Sequence, residues 1–127
     1  NYINSCINKL VDAGVDVIHA SNRRFWEPEF EGSNLNLAGW TKKITGLPTI
    51  TVGSVGLESD FIGFYQGEDE VKSAPIDDLV KRMDDKEFDM VAVGRALLSD
   101  PEWVNKVKEG RYDEVIPFSK KHAENYY

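Results

Sequence analysis

With 127 residues, 41% of them apolar, the chain holds at most one domain's worth of sequence and enough apolar side chains for a core. Fifteen basic against 22 acidic residues leave a net charge of −7, which argues against a nucleic-acid or anionic-membrane partner and leaves room for a local basic site that takes a small anion. The lone cysteine, Cys6, rules out an intrachain disulfide and a cysteine-based zinc site and fits a reducing compartment, and no apolar run approaches the ~20 residues of a membrane-spanning helix.

The chain opens on "NYINSCINKLVDAG", where Ile3, Ile7, Leu10 and Val11 recur at helical spacing and Gly14 stops the helix. Asn1 in place of a methionine, ahead of a helix already under way, makes the chain read as a piece of something longer. "VDVIHA" (15–20) is short, β-branched and nearly all apolar, which predicts a strand covered on both faces. "SNRRFWEPEFEGSN" (21–34) reads as a long loop, and "LNLAGWTKKITG" (35–46) as a helix with Leu37, Trp40 and Ile44 on one face. A second strand follows in "PTITVG" (48–53), then a mixed stretch (57–75) with a short helix and an acidic loop. "IDDLVKRMDDKEF" (76–88) places Ile76, Leu79, Val80 and Met83 on one helical face and its charges on the other. "DMVAVG" (89–94) is a third strand. "SDPEWVNKVKEG" (99–110) is a helix with Asp100 as its cap, Pro101 at its first position and Gly110 at its end. The last ten residues carry no assignable structure.

Strands alternating with helices, with no hairpin signal between them, predict right-handed βαβ units and a parallel sheet. Three strands are too few for a doubly wound sheet, usually about five or six strands, or for a closed barrel. The expectation is therefore an α/β fold in which residues 1–127 form one partial domain, roughly the last three strands, 6 to 8, of a (β/α)8 barrel.

Two of the expected strands end in glycine: "TVGSVG" (51–56) and "VAVGR" (91–95). Ligand sites of parallel α/β folds lie beyond the C-terminal strand ends. A glycine there lets backbone approach a ligand closely, and a turn of successive N–H groups makes an anion-binding concavity. Arg95 adds a permanently charged fork suited to phosphate. One such glycine is most simply an ordinary turn, and Arg95 alone is either a phosphate ligand or a surface arginine. The pair on consecutive strands carries the reading. No Walker-type or "GxGxxG" pattern accompanies it, so a nucleoside triphosphate or dinucleotide site is not expected.

"TVGSVGL" together with "FDMVAVGRALLSDPEWVNKVKEGR" resembles the C-terminal part of the Old Yellow Enzyme family, the NADH:flavin oxidoreductases, and "GVDVIHAS" with the aromatic loop behind it resembles the family's sixth strand and following loop. The resemblance runs from about Gly14 to Gly110. It implies an FMN-binding (β/α)8 barrel that uses NADH or NADPH to reduce an activated alkene, with the FMN phosphate on Gly53, Ser54, Val55, Gly94 and Arg95. It also implies that Phe25 and Trp26 lie near the flavin or substrate and that Tyr126 or Tyr127 reaches toward an active site. The family's carbonyl-binding His/His or His/Asn pair and its tyrosine proton donor lie on earlier strands. No catalytic residue is therefore expected in this chain, which alone should be inactive.

Blander roles stand beside these. Phe25 and Trp26 serve equally well as a loop's own apolar anchor. Trp40 and Trp103 are expected in the core, and His19 as a satisfied buried histidine. Asp77, Asp78, Asp84 and Asp85 form a solvated helix face and no metal site. Two other functions compete: another phosphate- or flavin-binding barrel enzyme, and a non-catalytic α/β fragment that self-associates through exposed strand edges.

Overall fold

A computed structural model of the chain describes residues 2–58 and 70–124. The expected short helix and acidic loop of residues 57–75 fall mostly outside these, and Tyr126 and Tyr127 wholly so. Three strands, β1 (Ile18–Ser21), β2 (Thr49–Val52) and β4 (Met90–Val91), form a parallel sheet in the order β1-β2-β4. In register, Ile18 faces Thr49, Ser21 faces Val52, and Ile50 faces Met90. Helix α1 (Tyr2–Asp12) precedes β1, α2 (Leu37–Thr45) joins β1 to β2, and α3 (Asp77–Asp84) lies between β2 and β4. The expected alternation of helices with parallel strands is present as an α/β arrangement, and the described residues close no barrel.

The sheet steps in one direction only. Right-handed crossovers in such a sheet put both connecting helices on one face. Burial agrees: Ala20, Thr49 and Thr51 share the covered face and are buried, whereas Ile50 and Val52 on the opposite face are half-buried, His19 is exposed and Met90 is 41% exposed. Coverage on both faces, expected for β1, is not met among the described residues. His19 is correspondingly solvent-exposed and not the buried histidine expected, because its strand position points to the open face.

Threonines take the covered face of β2 because polar partners await them. Asn36, fully buried, donates Nδ2–H to Phe25 O (2.9 Å) and Thr51 Oγ1 (3.1 Å) and accepts Gly39 N–H at 2.8 Å, which caps α2. Asn22 donates to the same Thr51 hydroxyl (3.1 Å) and accepts Leu37 N–H at 3.1 Å. One hydroxyl and two amides thus fix the loop between β1 and α2 to the central strand.

Two features depart from the sequence reading. The helix expected over 99–110 is confined to α5 (Trp103–Lys108), and a short helix that was not expected, α4 (Arg95–Ser99), precedes it a few residues after β4. The tail also carries structure: β5 (Phe118–Ser119) pairs antiparallel with β3 (Glu70–Val71), Val71 opposite Phe118, and α6 (Lys120–Glu124) follows. Trp103 is buried as expected, while Trp40 is half-buried, edge-on to Phe30 at 5.5 Å with Lys43 Nζ 5.0 Å from its ring.

Candidate functional site: a cavity at three strand ends

The chain after β1, the chain after β2 and the chain after β4 meet around a cavity of about 210 Å³. Its walls include Gly53, Ser54, Val55, Gly94 and Arg95, so the five residues expected from sequence to form a phosphate site line one space. Asn22 and Arg23 line it as well. Sequence reading passed over these two; their place immediately after a strand, in "HASNRR", was the available signal.

Local backbone explains the choice of residues. Gly53 has φ 136°, and a Cβ there would stand 2.5 Å from Asn22 O, so only glycine lets the two strand ends approach this closely. Ser54 holds φ 53°, a left-handed conformation that costs a non-glycine residue about 1–2 kcal/mol. Its hydroxyl is used to hold the turn: Ser54 Oγ–H donates to Arg23 O at 3.1 Å, and Phe25 N–H donates to Gly53 O at 3.1 Å. Arg95 Nη2 lies 3.4 Å from Ser54 Oγ, which joins the two strand ends through side chains. Strain of this kind concentrates where a turn presents groups to a ligand.

The donor set suits a phosphate. Among the described residues, the N–H groups of Ser54, Val55 and Gly94 donate to no other backbone carbonyl. A Cβ at Gly94 would meet nothing within 4 Å, so packing does not require a glycine there. Arg95, half-buried, supplies charge in surroundings where an ionic hydrogen bond is worth more than in water. At about 210 Å³ the cavity has room for a small group and is smaller than the ~300–1,000 Å³ that holds a whole drug-sized ligand.

Phe25 and Trp26 lie in a second, neighbouring cavity of about 450 Å³, which shares Ser54 and Leu57 with the first. Phe25 is 5% exposed and packs edge-on against Trp26 at 5.1 Å, so it anchors the loop as well as lining the space. Arg82 binds this loop from α3, donating to Asn34 O (3.0 Å) and Trp26 O (3.4 Å). Asp77, Asp78, Asp84 and Asp85 are exposed, with Asp78 and Asp85 paired to Arg82 and Lys81. No group of three or more His, Cys, Asp or Glu side chains is placed to hold a metal ion among the described residues.

Two carboxylates outside the cavity are held below the usual range. Asp89, just ahead of β4, receives the Lys42 ammonium at 2.6 Å and Thr49 N–H at 2.9 Å. Burial pushes Asp100 up, but Lys106 at 2.7 Å and the N–H groups of Ile116 and Glu102, both at 3.0 Å, outweigh it and keep the carboxyl low.

No family model matches the chain. Over 114 residues it is 36% identical to a NADH oxidase from Thermoanaerobacter brockii, a stretch covering 84% of this chain and 15% of that protein. The chain is thus related, along most of its own length, to a protein named as a NADH oxidase, and spans a small part of that relative's length.

Proposed function

We propose that the chain supplies the phosphate-binding part of an FMN-dependent NAD(P)H oxidoreductase of the Old Yellow Enzyme type, built as the last three strands of a (β/α)8 barrel. The observation that carries this reading is the convergence of Gly53, Ser54, Val55, Gly94 and Arg95 on one cavity at the C-terminal strand ends. The relationship to a NADH oxidase supports the redox class. A one-sided parallel sheet with Ile50, Val52 and Met90 on its open face supports a barrel arc, because parallel sheets are stable with both faces covered.

In this reading Arg95 and the N–H groups of Ser54, Val55 and Gly94 neutralise and orient the FMN phosphate, and Phe25 and Trp26 wall the space beside it. Bound FMN supplies hydride transfer from NADH or NADPH to an activated alkene. The residues that hold the alkene and donate the proton belong to other strands of the whole enzyme, so this chain alone turns over no alkene. Arg95→Ala is expected to weaken FMN binding by about 1.5–3 kcal/mol, roughly ten- to a hundred-fold, and to leave thermal stability nearly unchanged. Equal FMN occupancy in variant and wild type would remove the phosphate assignment. Tighter binding of a sugar phosphate than of FMN would instead favour another phosphate-binding barrel enzyme.

A second reading rests on the sheet edges. Neither outer strand, β1 or β4, has a second partner among the described residues, and Val17 and Met90 beside those edges are 43% and 41% exposed. Such edges pair with further strands, from the rest of a longer protein or from another copy.

A further inference from the structure

Among the described residues, Arg95 meets Ser54 and Phe118. Toward the cavity its guanidinium meets Ser54 Oγ at 3.4 Å. Arg95 Cζ also lies over the Phe118 ring, 5.8 Å from its centre, and Phe118 is 2% exposed. Phe118 does not line the cavity. Its position is set twice. Its strand, β5, pairs with β3, and the chain two residues earlier is clamped to the far end of Arg95's own helix. There Ser99 Oγ–H donates to Ile116 O at 3.0 Å while Asp100 Oδ2 accepts Ile116 N–H at 3.0 Å, so both backbone groups of Ile116 are held. Lys106 Nζ, 2.7 Å from the same Asp100 oxygen, ties in α5.

We propose that Phe118, held by the Ser99–Asp100 clamp on Ile116, is a positioning residue that fixes the Arg95 guanidinium at the anion cavity. An arginine side chain loses much rotamer freedom when it grips a ligand, and a face-on aromatic ring orders it beforehand. The tail segment 116–119 then supports the anion site from behind Arg95 without lining the cavity. What the ordered arginine grips rests on the function proposed above; the ordering itself does not.

The test has a ligand-free part and a binding part. In nitrogen-edited spectra of the chain, Arg95 Nε–Hε, assigned with Arg95→Lys, should be shifted away from exposed arginines by the Phe118 ring. The shift should vanish in Phe118→Leu, persist in Phe118→Tyr and shrink in Ser99→Ala. An Arg95 resonance at the exposed-arginine position in wild type, or one unmoved in Phe118→Leu and Ser99→Ala, would overturn the proposal whether or not any anion binds. In titrations with inorganic phosphate and FMN, Phe118→Leu should bind about tenfold more weakly, Phe118→Tyr as wild type, and riboflavin affinity should not change. Adding Phe118→Leu to Arg95→Ala should cost nothing further; an additive loss would mean that Phe118 acts by general packing and would contradict the proposal. If Arg95→Ala itself leaves phosphate and FMN binding intact, the functional reading fails, while the spectra still decide the positioning role.

Discussion

Gly56 shows how much a single position depends on a distant one. It has φ 72°, and a Cβ there would stand 2.7 Å from Trp103 Cζ2 and 2.9 Å from its Nε1. Trp103 is buried, so the ring has little space in which to yield. Gly56→Ala should therefore destabilise the chain by about 2–4 kcal/mol, combining left-handed strain with overpacking, and thermal melts should show it. An unchanged melting temperature would mean that the turn relaxes freely. Gly53 and Gly94 were legible from sequence because a glycine closing an apolar strand is a local signal. The reason for Gly56 was not, since its partner lies 47 positions along the chain, on another helix. Asn36 and Thr51 were hidden in the same way: a buried amide and a hydroxyl that satisfy one another look like ordinary loop and strand residues until the fold brings them within 3.1 Å.

Among the elements, the parallel strands were legible as short apolar runs and the helices α2 and α3 from their hydrophobic period, with Gly46 closing α2. Helix α4 was not. Its five residues, "RALLS", are too few for periodicity to register, so they merged with the loop ahead of α5. Asp100 was expected only as a cap. It does accept Glu102 N–H at 3.0 Å, but it also receives Lys106 and Ile116 N–H and so binds α4, α5 and the tail together. Its carboxyl is lower in the folded chain than in the unfolded one, so its stabilising contribution is present above the unfolded value near ~3.9 and is lost as pH falls through the folded value. Asp100→Asn should cost about 2–3 kcal/mol near neutral pH and flatten the loss of stability that wild type shows as pH falls below about 4. A variant whose acid profile parallels wild type would place that loss on other carboxylates. The β3–β5 pair escaped sequence reading because two-residue strands have no period, and their pairing is long-range.

For the molecule as a whole, apolar surface is left uncovered among the described residues, on the sheet, where Val17 and Met90 are more than 40% exposed, and on α1, where Tyr2 is 88% and Leu10 43% exposed. The apolar face of α1 was legible from its spacing, yet of that helix only Ile7 is buried, because spacing reports which side seeks cover and not whether this stretch supplies it. By the self-association reading, sedimentation of the chain at tens of micromolar should show species heavier than the 14.4 kDa monomer; a clean monomer at every concentration would count against it. The central claim concerns the cavity where the three parallel strands end. The measurement that tests it most directly is a titration of the chain with FMN followed by flavin fluorescence, with riboflavin and inorganic phosphate alongside. The account predicts FMN binding with a Kd near ~1 mM, or about −4 kcal/mol, competition by inorganic phosphate, and far weaker riboflavin binding. Riboflavin binding as tightly as FMN, or phosphate failing to compete, would contradict an anion site at Gly53, Ser54, Val55, Gly94 and Arg95.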